Sequence, residues 1–259
     1  ITPVGPMSLH KDGEEVCAAL TTEGLAEVRA AFARAARLAQ DTGFDAVQVH
    51  AAHGYFLSQF LSPRTNTRED AYGGSVENRA RLATEVVAAM REAVGPAYPI
   101  LVKLNSEDFL EGGMSRAQAL DTASLLEAAG VDAVEVSGGT MDSGKLSPVR
   151  PGKVAIPEGE AYYREASRQF KARLSVPVML VGGVRSVDTA EALVRDGVCD
   201  FVALSRPLVR EPNLVARWRS GDRRPSECLS DNLCFRPAMA GQGLRCETLW
   251  REGRKGEGA

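Results

Sequence analysis

Short apolar runs alternate with amphipathic segments along most of this chain. Each run covers four or five residues and is rich in Val, Leu or Ile, which is typical of strands covered on both faces. The segments between the runs repeat apolar residues at helical spacing. This alternation predicts parallel βα units. The predicted strands are 46–49, 100–104, 133–136, 178–181 and 201–204.

Helix-end signals divide the amphipathic segments from one another. Ser75 is a predicted N-cap, and Gly95 is predicted to end the helix that Ser75 begins. Ser115 and Gln118 have the spacing of a capping box, in which each side chain bonds the backbone of the other residue. The apolar stripes predict helices over 25–39, 82–90, 120–129, 162–174 and 187–194.

Composition narrows the class of protein. The chain has 259 residues and a net charge of -3, which argues against nucleic acid or an anionic membrane as the main partner. No apolar run reaches the roughly 20 residues of a membrane span. The first ten residues lack the basic and apolar regions of a signal peptide. Five cysteines, an odd number, disfavour a secreted disulfide framework, so we expect a reduced, cytoplasmic protein.

Two histidines and a tyrosine follow the first predicted strand. His50, His53 and Tyr55 bring two imidazoles and a phenol to one small volume, which suits a site that handles a carbonyl or nitro oxygen. Backbone capping, simple packing of the tyrosine ring or a metal pair are the alternatives. Zinc normally has three or more protein ligands, and His10 is the only other histidine. We therefore predict no metal site here.

The second predicted strand carries a lysine on its inner face. Alternation puts Leu101, Lys103 and Asn105 on one face, and the apolar residues between them face the outer helices. The same alternation turns Gln48 and Glu135 inward on the neighbouring strands. A cation at such a position is costly unless it is paired. An ion pair between Lys103 and Glu135 is one interpretation, and it is compatible with a functional role for the lysine.

The segment around the two histidines resembles the old yellow enzyme family of flavin-dependent ene-reductases. The match is ordered and specific, well beyond a lone His-x-x-His. The residues that carry it are His50-Ala51-Ala52-His53-Gly54-Tyr55, Phe60-Leu61-Ser62-Pro63, Asn66, Arg68, Asp70, Tyr72-Gly73-Gly74-Ser75 and Glu77-Asn78-Arg79.

The resemblance implies an FMN cofactor, reduced by NADH or NADPH, that reduces the C=C bond of a small α,β-unsaturated carbonyl or nitro compound. By resemblance, His50 and His53 hydrogen-bond the substrate oxygen. Tyr55 would give a proton to the substrate α-carbon, because a phenol keeps its proton at neutral pH. Lys103 would stand beside the flavin N1 and C2 oxygen, where negative charge collects on reduction.

Two loops near the chain's last two predicted strands suit a phosphate. Gly182 and Gly183 follow one strand, and Ser205 and Arg206 follow the next. Barrels commonly bind phosphate at this position through loop amides, and an arginine fork fits phosphate well. A lone Gly-Gly is more often just a tight turn. The family usually has glycine before this arginine, but Ser205 keeps its amide, so we predict that all four residues bind the cofactor.

The resemblance covers essentially the whole chain but begins at the family's fourth strand. The implied fold class is α/β, a (β/α)8 TIM barrel of which this chain holds about five βα units, strands 4–8. We expect 1–220 to form that part of the barrel and 221–259 to form an irregular extension, disordered from 251. Open edges favour a homo-oligomer or completion by the missing N-terminal segment. A non-catalytic remnant and a metal-dependent hydrolase are the alternatives.

The extension also contains three cysteines. Some branches of the family hold an iron–sulfur cluster on four cysteines near this region, and such clusters normally need four thiolates. Here Cys228, Cys234 and Cys246 supply three, with Asp231 where a fourth would fall. We therefore predict a structural lobe rather than a cluster.

Overall fold

Five parallel strands, hydrogen-bonded in chain order, form the centre of the protein. The structure is a computed structural model that describes residues 3–256, with side chains up to residue 254. All five predicted strands are confirmed, and the first extends far enough to include His50. The strands are β4 (Val47–Ala51), β5 (Ile100–Asn105), β6 (Ala133–Ser137), β7 (Val178–Val181) and β8 (Phe201–Ala203).

The register of the sheet confirms the predicted inner and outer faces of β5. Ile100, Val102 and Leu104 are fully buried under the helices. Lys103 lies beside His50 of β4 on one side and beside Glu135 of β6 on the other. Side chains that share a face of neighbouring parallel strands meet in this way, so the polar residues form a row across the inner face.

Helices follow the strands and cover the outer face. Their predicted ends are confirmed: Ser75 accepts a hydrogen bond from the backbone of Asn78, and Gly95 is the C-cap of the same helix. The capping box of Ser115 and Gln118 is complete. The helices that cover the sheet are α1 (Thr22–Asp41), α2 (Phe56–Leu61), α3 (Val76–Val94), α4 (Arg116–Ala128), α5 (Arg164–Arg173) and α6 (Val187–Arg195).

A small N-terminal sheet precedes α1 and was not predicted. It consists of β1 (Val4–Gly5), β2 (Leu9–Lys11) and β3 (Glu14–Ala19), with β3 in the middle. Its strands are short and largely exposed, so they lack the apolar runs that reveal a strand. The one local signal is Asp12-Gly13, where both residues have positive φ in the turn between β2 and β3, a combination that favours a hairpin.

The C-terminal region is more helical than predicted. The expectation of disorder from residue 251 is wrong for 251–256, and 257–259 lie outside the described residues. Arg251 bonds Glu247 one turn earlier in the last helix, and Thr248 bonds Asp231 of the preceding loop. The four helices are α7 (Arg206–Arg210), α8 (Leu214–Arg219), α9 (Phe235–Met239) and α10 (Glu247–Gly256). Among residues 3–256, no helix is long and apolar enough to span a bilayer.

Candidate active site

A cleft opens at the carboxyl ends of the strands. It joins residues that the sequence places far apart, because every parallel strand ends at the same rim. The predicted lysine, one predicted histidine and both predicted phosphate loops line this one space. The lining residues that matter for the site are His53, Lys103, Ser137, Tyr162, Gly182, Gly183, Ser205 and Arg206.

The two histidines converge because the chain reverses after β4. His53 has a φ of 68° and Gly54 a φ of 79°, a left-handed conformation that histidine tolerates better than most residues. The backbone amide of His53 donates to Asn105 Oδ1 at 3.1 Å. The ring centroids of His50 and His53 are consequently 5.0 Å apart.

Both imidazoles are neutral at pH 7. Burial lowers the pKa of His53 to about 3, and nearby His50 and the Lys103 ammonium act in the same direction. His50 is exposed on one side, and desolvation of the buried part of its ring, together with Lys103, lowers its pKa against the opposing effect of Glu135. A neutral imidazole has one N–H donor and one acceptor nitrogen. His53 Nε2 lies 2.7 Å from Ser137 Oγ, a hydroxyl that can donate to or accept from the ring, so Ser137 holds the orientation of the imidazole.

Tyr55 stands at the edge of the same group. It is the N-cap residue of α2, and its ring centroid lies 5.1 Å from that of His50. The side chain is 54% exposed, so its hydroxyl is accessible to a bound molecule. Neither Tyr55 nor His50 lines the cleft itself; both lie next to His53, which does.

The predicted ion pair on the inner face is confirmed. Lys103 Nζ lies 2.8 Å from Glu135 Oε1. The other carboxylate oxygen, Oε2, accepts a hydrogen bond from Gln48 Nε2 at 2.8 Å. Three neighbouring strands therefore hold one carboxylate between an ammonium and an amide.

The two phosphate-loop candidates follow the neighbouring strands β7 and β8, and both line the cleft. Gly182 and Gly183 both have positive φ, at 116° and 81°. An added Cβ at either position would lie 2.6 Å from the Tyr162 ring, so neither position admits a side chain. Ser205 precedes α7 without making a side-chain cap. Arg206 Nη1 donates to the carbonyl of Arg150 and to Asn232 Oδ1, which ties one arm of its fork to neighbouring loops.

A buried carboxylate that the sequence did not reveal holds the long segment between β6 and α5. Glu160 accepts hydrogen bonds from the backbone of Arg185 and Ser186 and from the hydroxyls of Ser186 and Thr189 at the start of α6. It is 3% exposed. Nothing in the local pattern marks Glu160, because all of its partners lie 25 or more residues later.

The same segment places a cation on aromatic rings beside the cleft. The Arg150 guanidinium lies 4.1 Å from the centroid of the Tyr162 ring and 5.1 Å from that of Tyr163. Tyr163 in turn donates to the carbonyl of Gly138 at 2.7 Å. The Tyr163 bond holds the segment against the loop after β6, and the Tyr162 ring lies against Gly182 and Gly183 after β7.

The cysteine region shows free thiols in the described part of the chain. Cys228, Cys234 and Cys246 line a small cleft together with Asp231. Within residues 3–256, no group of three or more His, Cys, Asp or Glu side chains is arranged to hold a metal ion.

Comparison with known proteins identifies the family. The family model described as NADH:flavin oxidoreductase / NADH oxidase matches residues 2–224. A metal reductase of Desulforamulus reducens is 39% identical over 78% of this chain and 29% of its own length. An NADH oxidase of Thermoanaerobacter brockii is 35% identical over 92% of this chain and 36% of its own length. The chain thus spans about a third of these relatives.

A solved structure gives the same answer for the fold. The old yellow enzyme homologue from Zymomonas mobilis superposes with a TM-score of 0.68 and 25% identity, over 85% of this chain and 62% of that one. The five βα units are therefore part of a TIM barrel. The family description implies a flavin cofactor and a nicotinamide reductant. The chain belongs to the NADH:flavin oxidoreductase family, the oxidoreductases of the old yellow enzyme type.

Proposed function

We propose that this chain is part of an FMN-dependent, NAD(P)H-linked ene-reductase. Its substrates would be small molecules in which a C=C bond is conjugated to a carbonyl or nitro group. One observation carries the proposal: a single cleft is lined by Lys103, His53, the Gly182–Gly183 loop and Ser205-Arg206. Cationic and N–H groups at both ends of one cleft suit a planar cofactor that carries a phosphate tail.

The residues of the cleft fit the chemistry of FMN. Gly182, Gly183 and Ser205 would offer backbone N–H groups at the ends of two neighbouring strands, and Arg206 would add a positive charge for the phosphate. Lys103 would face the N1 and C2 oxygen edge of the flavin ring. When bound, FMN takes two electrons from NADH or NADPH and passes them to the substrate, while the protein supplies position and electrostatics.

The histidine and tyrosine side chains would act on the substrate. His50 and His53 are neutral, so each can donate one hydrogen bond to a carbonyl or nitro oxygen and stabilise the negative charge that develops there. Tyr55 is exposed and close to His50, which suits protonation of the substrate α-carbon.

Further residues are needed to complete the barrel around this cleft. The inner side chains of both edge strands are exposed: Gln48 and His50 on β4, and Phe201 on β8. The relatives are longer than this chain, so we propose that a preceding segment of the same protein, or a second copy, covers these edges. We also propose a cytoplasmic location, because all five cysteines are free thiols.

A first experiment asks whether the protein binds FMN. Purified protein should be yellow and keep FMN through gel filtration. Colourless protein that does not take up added FMN would support a non-catalytic remnant instead. Activity that needs a metal and no flavin would support a hydrolase that uses His50 and His53.

A second experiment separates the two half-reactions by stopped flow. Tyr55→Phe should slow oxidation of the reduced enzyme by an enone about 100-fold or more, the usual contribution of a general acid. Reduction of the flavin by NAD(P)H should stay within about threefold of the parent protein, because no proton is given to the substrate in that step. Tyr98→Phe is the matched control, since its buried hydroxyl has no partner among the described residues. Equal losses in both half-reactions of Tyr55→Phe would contradict the proton-donor role.

A further inference from the structure

The row of polar side chains across the inner face joins a buried carboxylate to the lysine of the cleft. Glu135 sits between Lys103, at 2.8 Å, and Gln48, at 2.8 Å. Both carboxylate oxygens are used, one by an ammonium and one by an amide. The carboxylate cannot turn away from Lys103 without losing the bond to Gln48, so the pairing is fixed from both sides.

The two charges of the pair differ in their access to the cleft. The Glu135 side chain is 7% exposed and that of Lys103 is 22% exposed. Lys103 lines the cleft, and Glu135 does not. A molecule bound there would therefore meet the ammonium first, with its counter-charge directly behind it.

Apart from Glu135, no charged side chain flanks Lys103 on the neighbouring strands. Register places His50 and Glu135 beside Lys103 on the neighbouring strands, and His53 lines the same cleft. Both imidazoles are neutral at pH 7. The net charge presented to the cleft at this end is consequently close to zero, although the nearest group is a cation.

We propose that Glu135 is a positioning residue that sets, through Lys103, how strongly the site prefers reduced over oxidised FMN. The inference rests on the proposed function, because it requires FMN in the cleft with its N1 edge toward Lys103. Reduction places negative charge at that edge. An unpaired ammonium would stabilise this charge strongly, whereas an ammonium held by a carboxylate stabilises it less. Glu135 thus keeps the flavin a stronger reductant than Lys103 alone would allow.

The test measures dissociation constants for oxidised and reduced FMN, or the midpoint potential of the bound flavin, in the holoprotein. Glu135→Gln keeps the size and polarity of the side chain but removes its charge. We expect the ratio of the two dissociation constants to shift about tenfold in favour of reduced FMN, which raises the potential of this two-electron couple by about 30 mV. Lys103→Gln should shift the ratio in the opposite direction, because it leaves the carboxylate unpaired beside the flavin.

The double variant Lys103→Gln, Glu135→Gln keeps the proposal falsifiable if one single variant folds poorly. It restores a neutral pair, so its ratio should lie within about threefold of the parent value. Asp200→Asn is the matched control, because Asp200 also pairs with a lysine, Lys171 at 2.9 Å, but just before β8 at the opposite end of the sheet. It should leave the ratio unchanged.

The possible results separate this inference from the proposed function. If the parent protein does not bind FMN, the proposed function fails, and the role of Glu135 fails with it. If the parent protein binds FMN and Glu135→Gln leaves the ratio unchanged or shifts it toward oxidised FMN, only the role of Glu135 is overturned.

Discussion

The two faces of the five-stranded sheet follow different rules. On the outer face, Val102, Leu104, Val134 and Val136 are completely buried under the helices. On the inner face, the same two strands carry Lys103 and Glu135, which form the ion pair of the candidate site. Burial of the outer face stabilises the fold at roughly 25 cal/mol per Å² of apolar surface. The inner face adds less to stability and carries the candidate site, so strand alternation assigns packing residues and candidate site residues to opposite faces.

The largest expected effect is a loss of stability on the outer face of β5. Leu104→Ala should lower the free energy of unfolding by about 2–5 kcal/mol, because Leu104 is fully buried. Leu101→Ala is the matched control: the same change on the same strand, at a partly exposed inner position. We expect it to cost about 1 kcal/mol. Urea unfolding measures both values, and equal losses would remove the distinction between the faces.

The next effect is catalytic. His50→Ala should lower the rate of enone reduction about 100-fold, since removal of one oxyanion donor has this size in other enzymes. The stability of the protein should change by less than about 1 kcal/mol, because His50 is exposed on β4. Single-turnover kinetics and urea unfolding of the same sample check both parts. A large loss of stability would show that His50 contributes to packing of the fold.

A smaller effect should appear as pH falls. The pKa of His53 is about 3 in the folded protein and near 6.5 when exposed, so below pH 6.5 the unfolded chain takes up a proton that the folded chain does not. The free energy of unfolding should therefore fall, by up to about 1.4 kcal/mol per pH unit, between pH 6.5 and 3. Urea unfolding of the flavin-free protein at pH 7, 6 and 5 measures the slope. His53→Asn should reduce this slope, and an unchanged slope would show that groups other than His53 cause the pH dependence.

The smallest effect concerns the edge of the inner face. Phe201 is 57% exposed on β8, so Phe201→Ser should change the stability of this 259-residue chain by less than about 0.5 kcal/mol. Thermal unfolding is sensitive enough to measure this. A loss near 2 kcal/mol would show that other residues, such as those of a second copy, already cover the inner face in solution.

The faces of the strands and the starts of the helices could be predicted from local sequence patterns. The alternation in β5 assigned Lys103 and Leu104 to opposite faces, and the caps at Ser75 and Ser115 began their helices as expected. The pairing of Lys103 with Glu135 followed from alternation on two strands. The predicted roles of the histidines, Tyr55 and the phosphate loops stay predictions, although the structure brings these residues together.

Other features depend on contacts that no local pattern records. The bond from Gln48 completes the carboxylate pair, and Ser137 orients His53 across 84 residues of sequence. The segment at 251–256 looks disordered by composition, yet Arg210 and Glu247 hold it in a helix. Side chains that choose partners on distant elements are visible only once the strands have been assembled.

The carboxylate of Glu160 has a mechanical consequence. It binds the first backbone amides of the turn into α6, directly after Gly182 and Gly183, while its own chain carries Tyr162, whose ring covers those glycines. One buried carboxylate therefore joins the segment that covers the glycine loop to the turn that follows this loop. Tyr162 cannot move away from the two glycines unless α6 moves with it or the buried Glu160 carboxylate loses its hydrogen bonds.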